Sequence, residues 1–151
     1  MISIIQRVTQ AKVTVNGIDI GVIGTGILAL VAVEKADTPK QAERLLERIL
    51  NYRIFADADD KMNLSLRDIQ GGLLLVPQFT LAADTDTGNR PSFASAAAPE
   101  MGLELYNYLK KHAQQLYPGS QFGEFGADMK VALINDGPVT FTLRSQQVKV
   151  G

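Results

Sequence analysis

The chain has 151 residues with no Cys, no Trp and one His, and its 15 Lys and Arg against 16 Asp and Glu give a net charge of −1. The length suits one domain that buries a core without a disulfide or structural metal, and the lack of Cys excludes disulfide scaffolds, thiol nucleophiles and cysteine zinc sites together. The balanced charge excludes a polycation built to coat nucleic acid, so any RNA contact must be local.

The stretch Met1 to Arg7 is apolar for only a few residues before Gln6 and Arg7 interrupt it, too short for a secretory segment. No run nears the roughly 20 apolar residues of a membrane span, and the chain reads as a soluble, cytoplasmic, single domain over 1–151. Ile2 to Val8 has the character of a strand. Val13 to Ile20 alternates apolar and polar residues about Asn16-Gly17, a pair suited to the positive φ angles of a type I′ turn. A two-residue loop there pairs Val15 with Ile18 and Val13 with Ile20. Gly21 to Gly26 is glycine-rich, but these glycines precede a strand where a phosphate loop follows one and opens a helix, so a turn is the expectation. Gly26 to Val33 is the continuous apolar run of a strand covered on both faces.

A helix follows, with Thr38 as cap, Pro39 in its first turn and Gln41 placed for a capping box. Ala42, Leu45, Leu46, Ile49 and Leu50 form its buried stripe, and Lys40, Glu43, Arg44, Glu47 and Arg48 a solvated surface. Asp57, Asp59 and Asp60 lack the alternation and terminal Glu of a calcium loop and read as a solvated turn. Leu73 to Val76, after Gly71-Gly72, is a central strand. A second helix spans Pro99 to about Tyr117, with Leu103, Tyr106, Leu109, Ala113 and Leu116 inward and His112 on the surface beside Lys110 and Lys111. Two further strands, Met129 to Ile134 and Val139 to Leu143, are joined through Asn135-Asp136-Gly137-Pro138. The sum is an α+β fold of mostly antiparallel sheet with two main helices.

With no Cys and no second His, an enzyme of this composition works with hydroxyls, backbone amides, carboxylates or groups carried by its substrate. Polar residues at strand ends are then the candidates. One segment is Val76-Pro77-Gln78-Phe79-Thr80-Leu81, where a buried strand turns abruptly polar, and the other is Asn135 to Thr140. Each also has an ordinary reading, as exposed strand positions and as a turn.

Gln78-Phe79-Thr80-Leu81-Ala82 together with Asn135-Asp136-Gly137-Pro138-Val139-Thr140-Phe141 resembles the two motifs of bacterial D-aminoacyl-tRNA deacylases. Ile5-Gln6-Arg7-Val8-Thr9, Tyr52-Arg53-Ile54-Phe55, Lys61-Met62-Asn63-Leu64 and Arg90-Pro91-Ser92-Phe93 extend the likeness, in order, over nearly the whole chain. The resemblance implies a barrel-like fold, a homodimer with active sites near its interface, and tRNA as partner, with no metal, cofactor, membrane or DNA. It implies hydrolysis of the ester joining a D-amino acid, or glycine, to the terminal adenosine of tRNA, a proofreading reaction that spares L-aminoacyl esters. By the same resemblance Gln78, Phe79 and Thr80 are catalytic, a cis Gly137-Pro138 reaching into the partner's pocket selects chirality, and Phe125 and Met129 hold the adenosine.

A physical logic fits these roles. Enantiomeric esters share bonds and solvation, so discrimination requires a wall on the side to which the L side chain points. Backbone carbonyls of Gly137 and Pro138 can form that wall while binding the amine, and glycine, with no side chain, escapes it. Backbone N–H groups near Phe79 and Thr80 can hold the oxyanion. Thr80 is expected to position groups, with the ribose 2′-hydroxyl assisting attack by water. The family usually has Ser before the Gln; this chain has Pro77, which removes a hydroxyl and a backbone N–H. Rival readings are a tRNA 3′-end binding module with weak catalysis and a hydrolase of another small acyl ester. The near-neutral charge predicts few phosphate contacts and a shallow fall in tRNA affinity with added salt, which binding measured across a salt series checks.

Overall fold

The first strand runs on past Val8: β1 (Ile2–Val15) enters the hairpin directly and pairs with β2 (Ile18–Ile23). A computed structural model describes residues 1–145, and residues 146–151 of the expected domain lie outside the described residues. Asn16 and Gly17 take φ of 50° and 78°, as the primed turn requires. Val15 faces Ile18 as expected, but Val13 faces Gly21 and not Ile20, because a bulge shifts the register between Val13 and Thr14. The cause is remote. A Cβ on Gly21 would stand 2.9 Å from Leu74 Cδ1 and 3.1 Å from the Phe122 carbonyl oxygen, so this rung must carry the glycine where β2 closes over the other side of the sheet.

The lower half of β1 pairs antiparallel with β3 (Gly26–Ala32), which in turn lies parallel to β6 (Gly72–Pro77), and β6 is parallel to the short β7 (Gln121–Phe122). The sheet is therefore mixed, with its parallel β3–β6 pair buried, and it curls into a nearly closed barrel in the order β2-β1-β3-β6-β7. Alternation explains the continuous apolar runs. Ile27, Ala29 and Val31 with Leu73 and Leu75 face the helices, whereas Leu28, Leu74 and Val76 join Val8, Val13 and Ile23 inside the barrel. Gly26 meets Gly72 so closely that a Cβ would lie 1.9 Å from the Gly72 carbonyl oxygen, which fixes glycine at the start of the parallel pair.

The sequence separated two final strands; the structure has one long element, β8 (Lys130–Arg144), both halves of which pair with β1. Val8 faces Asn135 and Gln6 faces Thr140, so Asp136 to Val139 loop out of the ladder opposite Arg7 alone. Beyond the barrel, β4 (Phe55–Ala56) and β5 (Met62–Leu64) form a small antiparallel pair, followed by one turn of helix, α2 (Leu66–Ile69). Between them Asp57 accepts from the backbone N–H groups of Asp59 and Lys61 at 2.9 and 3.0 Å, a turn as expected. The Lys61 N–H holds the Asp57 carboxyl below its ordinary pKa.

Helix α1 (Pro39–Asn51) buries the whole expected stripe, and Gln41 Oε1 accepts from the Thr38 backbone N–H at 2.7 Å. Helix α3 (Pro99–Leu116) departs from expectation: Leu103 and Leu116 are 42% and 45% exposed, and Gly102 and Leu105 take the inward places beside Tyr106, Leu109 and Ala113. His112 is half-buried, stacked on Tyr108 with ring centroids 6.2 Å apart. Among the described residues no helix is long and apolar enough to cross a membrane. Leu45→Ala, which empties a fully buried position, is expected to cost about 2–5 kcal/mol, and Leu116→Ala below about 1 kcal/mol. Urea denaturation of both variants checks the placement of the two leucines.

Candidate active site

The parallel ladder ends at Val31 and Pro77. Its last bond runs from Gln78 N–H to the Val31 carbonyl at 2.7 Å. This last rung pins the chain while it turns into a short 3-10 helix over Phe79–Ala82, closed by Leu81 N–H to Gln78 O and Ala83 N–H to Thr80 O. Gln78 and Thr80 are therefore not alternating positions on an exposed strand face. They are the cap and the second residue of a turn whose opening N–H groups have no carbonyl within it.

Inside that turn the Gln78 side-chain Nε2 donates to Thr80 Oγ1. The Thr80 oxygen thus has a lone pair occupied by an amide donor, and among the described residues no carboxylate or imidazole is hydrogen-bonded to its hydroxyl. Both features oppose a nucleophile, which needs a base to take its proton. Phe79 is 59% exposed, and its ring meets that of Phe93 at 5.3 Å between centroids, so an aromatic pair stands at the edge of the turn.

Behind the turn lies a cavity of about 250 Å³, lined mostly by apolar groups of Val31, Pro77, Phe79, Pro99, Tyr106 and Phe125, with Gln78 among its polar walls. Tyr106 is nearly buried, and its hydroxyl lies within donating distance of the Leu75 and Gly123 carbonyls, 3.1 Å from each. Burial raises its pKa well above the ordinary tyrosine value and keeps it neutral. Gly102 makes room for the Phe125 ring, whose nearest atom is 3.3 Å from where a Cβ would stand. The helical pattern assigns Tyr106 to the core and does not reveal that it forms a cavity wall. A glycine inside an amphipathic helix was the available signal for a close approach.

The structure thus brings Gln78, Phe79 and Phe125 to one cavity, with Thr80 beside it. It does not bring Met129 or the Gly-Pro pair there. Met129 packs against the barrel-interior cluster, with its sulfur and Pro77 Cδ at 2.9 and 3.1 Å from a Cβ placed on Gly123. It does not line the cavity. The Gly137-Pro138 peptide is cis, and both residues are exposed on the looped-out part of β8. Gln78 is pinned at Val31, opposite Ser3, while the loop faces Arg7. Four residues of β1 alone separate those rungs by on the order of 13 Å.

The loop is built as a stiff projection. Asn135 closes its base, accepting from Val139 N–H at 2.7 Å and donating to Thr140 Oγ1 at 2.9 Å. Arg7 crosses beneath, donating through Nε to the Asp136 carbonyl at 2.9 Å and through Nη1 to the Ile54 carbonyl at 2.8 Å. Gly137 has φ of 144°, and a Cβ there would sit 2.6 Å from Val139 Cγ2 and 2.9 Å from its backbone N. Only glycine fits.

A barrel-like α+β sheet that gathers backbone amides, one hydroxyl and an apolar cavity at a strand end holds the groups that a small hydrolase of the acyl-transfer kind uses. The comparisons specify it. The D-Tyr-tRNA(Tyr) deacylase family matches residues 4–144. The D-aminoacyl-tRNA deacylase of Pseudomonas entomophila is 58% identical over 144 residues, covering 95% of this chain and 99% of that protein. A solved structure described as c-Myc DNA Unwinding Element Binding Protein is 40% identical at a TM-score of 0.90, covering 97% of this chain and all of that one. Another, described as a probable eukaryotic D-amino acid tRNA deacylase, shares the fold at a TM-score of 0.80 with 18% identity, covering 94% of this chain and 97% of its own. The chain belongs to the D-Tyr-tRNA(Tyr) deacylase family, as its motifs implied.

Asn135→Ala removes the acceptor of the Val139 N–H and is expected to lower stability by about 1 kcal/mol. The same change should speed amide hydrogen exchange at Val139 and Thr140 more than in the rest of β8, which exchange followed by NMR checks.

Proposed function

We propose that this protein hydrolyses the ester between a D-amino acid and the terminal adenosine of tRNA, releasing both, and that it clears glycyl esters by the same route while sparing L-aminoacyl ones. The observation that supports this most directly is the juxtaposition at one strand end of the free opening amides of the 3-10 turn with an apolar cavity of a size to take a base.

In this reading the adenine enters the cavity against Phe125. The ester carbonyl points at the N–H groups of Phe79 and Thr80. Water adds to the carbonyl carbon, aided by the ribose 2′-hydroxyl, and the amides receive the charge that develops on oxygen. One well-placed donor of this sort is worth about 3–4 kcal/mol of barrier in other enzymes. Collapse of the tetrahedral intermediate expels the ribose oxygen, which leaves with a proton. Thr80, held by Gln78, orients the reacting groups and stays uncharged. Pro77 costs the site whatever a serine there would contribute, without disturbing the strand end.

Chirality selection falls to Gly137 and Pro138 of a second copy. The loop is exposed, rigid and too far along β1 to serve its own cavity, and a two-fold pair in which each copy lends the loop to the other satisfies both sites at once. The main chain of the loop, held by Arg7 at Asp136 and by Asn135 at Val139, cannot swing aside as a side chain can. The protein is read as a cytoplasmic homodimer acting without metal or cofactor, its partner being the aminoacylated end of tRNA. Its single unit of net negative charge gives no field for duplex DNA.

Matched D-aminoacyl-, L-aminoacyl- and glycyl-tRNAs, with a free D-amino acid ester, separate this reading from its rivals. The expected outcome is turnover of the D-aminoacyl and glycyl substrates alone; binding without turnover indicates a tRNA-end module, and equal cleavage of the free ester a general esterase. Thr80→Ala is expected to lower kcat without abolishing it. Because Gln78 works through Thr80, adding Gln78→Ala to it should lower the rate little further. Complete loss with Thr80→Ala would restore the nucleophile.

A further inference from the structure

The cavity at the 3-10 turn is not the largest hollow on the molecule. Along the same helix, beyond the Tyr106 and Phe125 rings, lies an open groove of about 560 Å³ between α3 and the β7 segment. Tyr106 and Phe125 line both hollows, with ring centroids 6.2 Å apart, so they form a shared partition whose base is fixed by the Tyr106 hydroxyl. The groove accounts for Leu103, whose exposure the helical pattern did not anticipate: it forms part of the apolar floor, together with the partly exposed Ile20.

Its chemistry is mixed in an informative way. Lys110 holds its ammonium 5.3 Å from the centroid of the Phe122 ring, giving a cation beside an aromatic face. Asn107 and Gln114 add amide groups along the same side of α3, and Glu124 places a carboxylate across from them. An apolar or aromatic floor, amides able to pair with base edges and a single cation are what a nucleotide of a single strand requires. A carboxylate accepts from the exocyclic amine of cytosine and repels phosphate, so the phosphate belongs on the Lys110 side. From Gly102 at the apolar cavity to Lys110 the helix climbs about 12 Å, the reach of the nucleotide next to a terminal adenosine.

We propose that this groove is a second nucleotide subsite, taking the cytidine that precedes the terminal adenosine of tRNA, with its linking phosphate at Lys110 and its base between Phe122 and Glu124. The inference rests on the proposed placement of the adenosine in the apolar cavity, and it adds a reason for a tRNA end to be preferred over a mononucleoside ester without a large basic surface.

The test compares a D-amino acid ester of adenosine with the same ester of cytidylyl-adenosine, for the unaltered protein, Lys110→Gln and Glu124→Gln. The expected result is a several-fold lower KM for the dinucleotide ester with the unaltered protein, an advantage that shrinks towards one in Lys110→Gln and weakens in Glu124→Gln, with the ratio between the two substrates as the readout. No advantage in the unaltered protein, or an advantage that survives Lys110→Gln, overturns the subsite. If the unaltered protein cleaves neither ester nor D-aminoacyl-tRNA, the functional reading fails by itself. Cytidylyl-adenosine titrated against the labelled protein then decides the groove: shifts of the Asn107, Lys110 and Phe122 amide signals support it, and their absence overturns it.

Discussion

The site depends on how the chain leaves the parallel ladder. As long as β6 stays paired with β3, its side chains alternate between the helices and the barrel interior, and all of them are buried. A strand in that position has no backbone donors to offer a substrate, since the ladder uses them. The pairing ends at Pro77, and the bond from Gln78 N–H to Val31 O makes the ending rigid. The 3-10 turn therefore begins at a fixed point, and its first amides open at the lip of a cavity already shaped by Tyr106 and Phe125. A loop of the same residues without that rung could not hold amides in advance of the charge they are to meet, which is the condition for electrostatic stabilisation.

The second rigid element obeys a different constraint. Asp136 to Val139 are extra residues in a strand that is otherwise paired on both sides of them, so they must leave the sheet. Left to themselves such residues would be mobile. Asn135 and Arg7 supply the missing partners, one across the base and one beneath, and the loop becomes a projection whose carbonyl groups are fixed by the fold. Main-chain atoms held in this way present the same surface to every substrate. That property suits a filter for handedness better than a cavity cut for one side chain, because the amino acids to be sorted differ in everything except the configuration at one carbon.

Local chemistry was legible in the sequence and remote packing was not. The Asn16-Gly17 turn, the α1 stripe and the doubly covered β3 all follow from neighbours within a few residues, and each stands as read. The bulge that sends Val13 to Gly21 is set by Leu74 and Phe122, far along the chain, and alternation alone could not signal it. The inward face of α3 is turned so that Leu105 replaces Leu103, since Gly102 admits the Phe125 ring and draws the helix to it. Two strands were read on either side of Asn135 to Pro138 because a turn there normally reverses the chain; here the chain bulges and continues along the same partner. The site motifs were legible only through their resemblance to a family. Composition narrowed the chemistry to hydroxyls and amides, but no periodicity marks a four-residue 3-10 turn or a carbonyl wall.

The weak charge of the molecule and the rigidity of its site belong together. A protein that held tRNA by many phosphate contacts would gain affinity for every tRNA alike, charged with either enantiomer or with none, and such uniform binding does not help discrimination. With a net charge of −1 and a single lysine among the residues lining the groove beside the cavity, the proposed site confines binding energy to the few groups nearest the ester. In the proposed reading correctly charged tRNA is then held weakly and released, whereas a substrate whose side chain clears the wall gains the amides of the 3-10 turn only as the oxyanion forms. Selectivity in this design comes from where the contacts are absent as much as from where they are made.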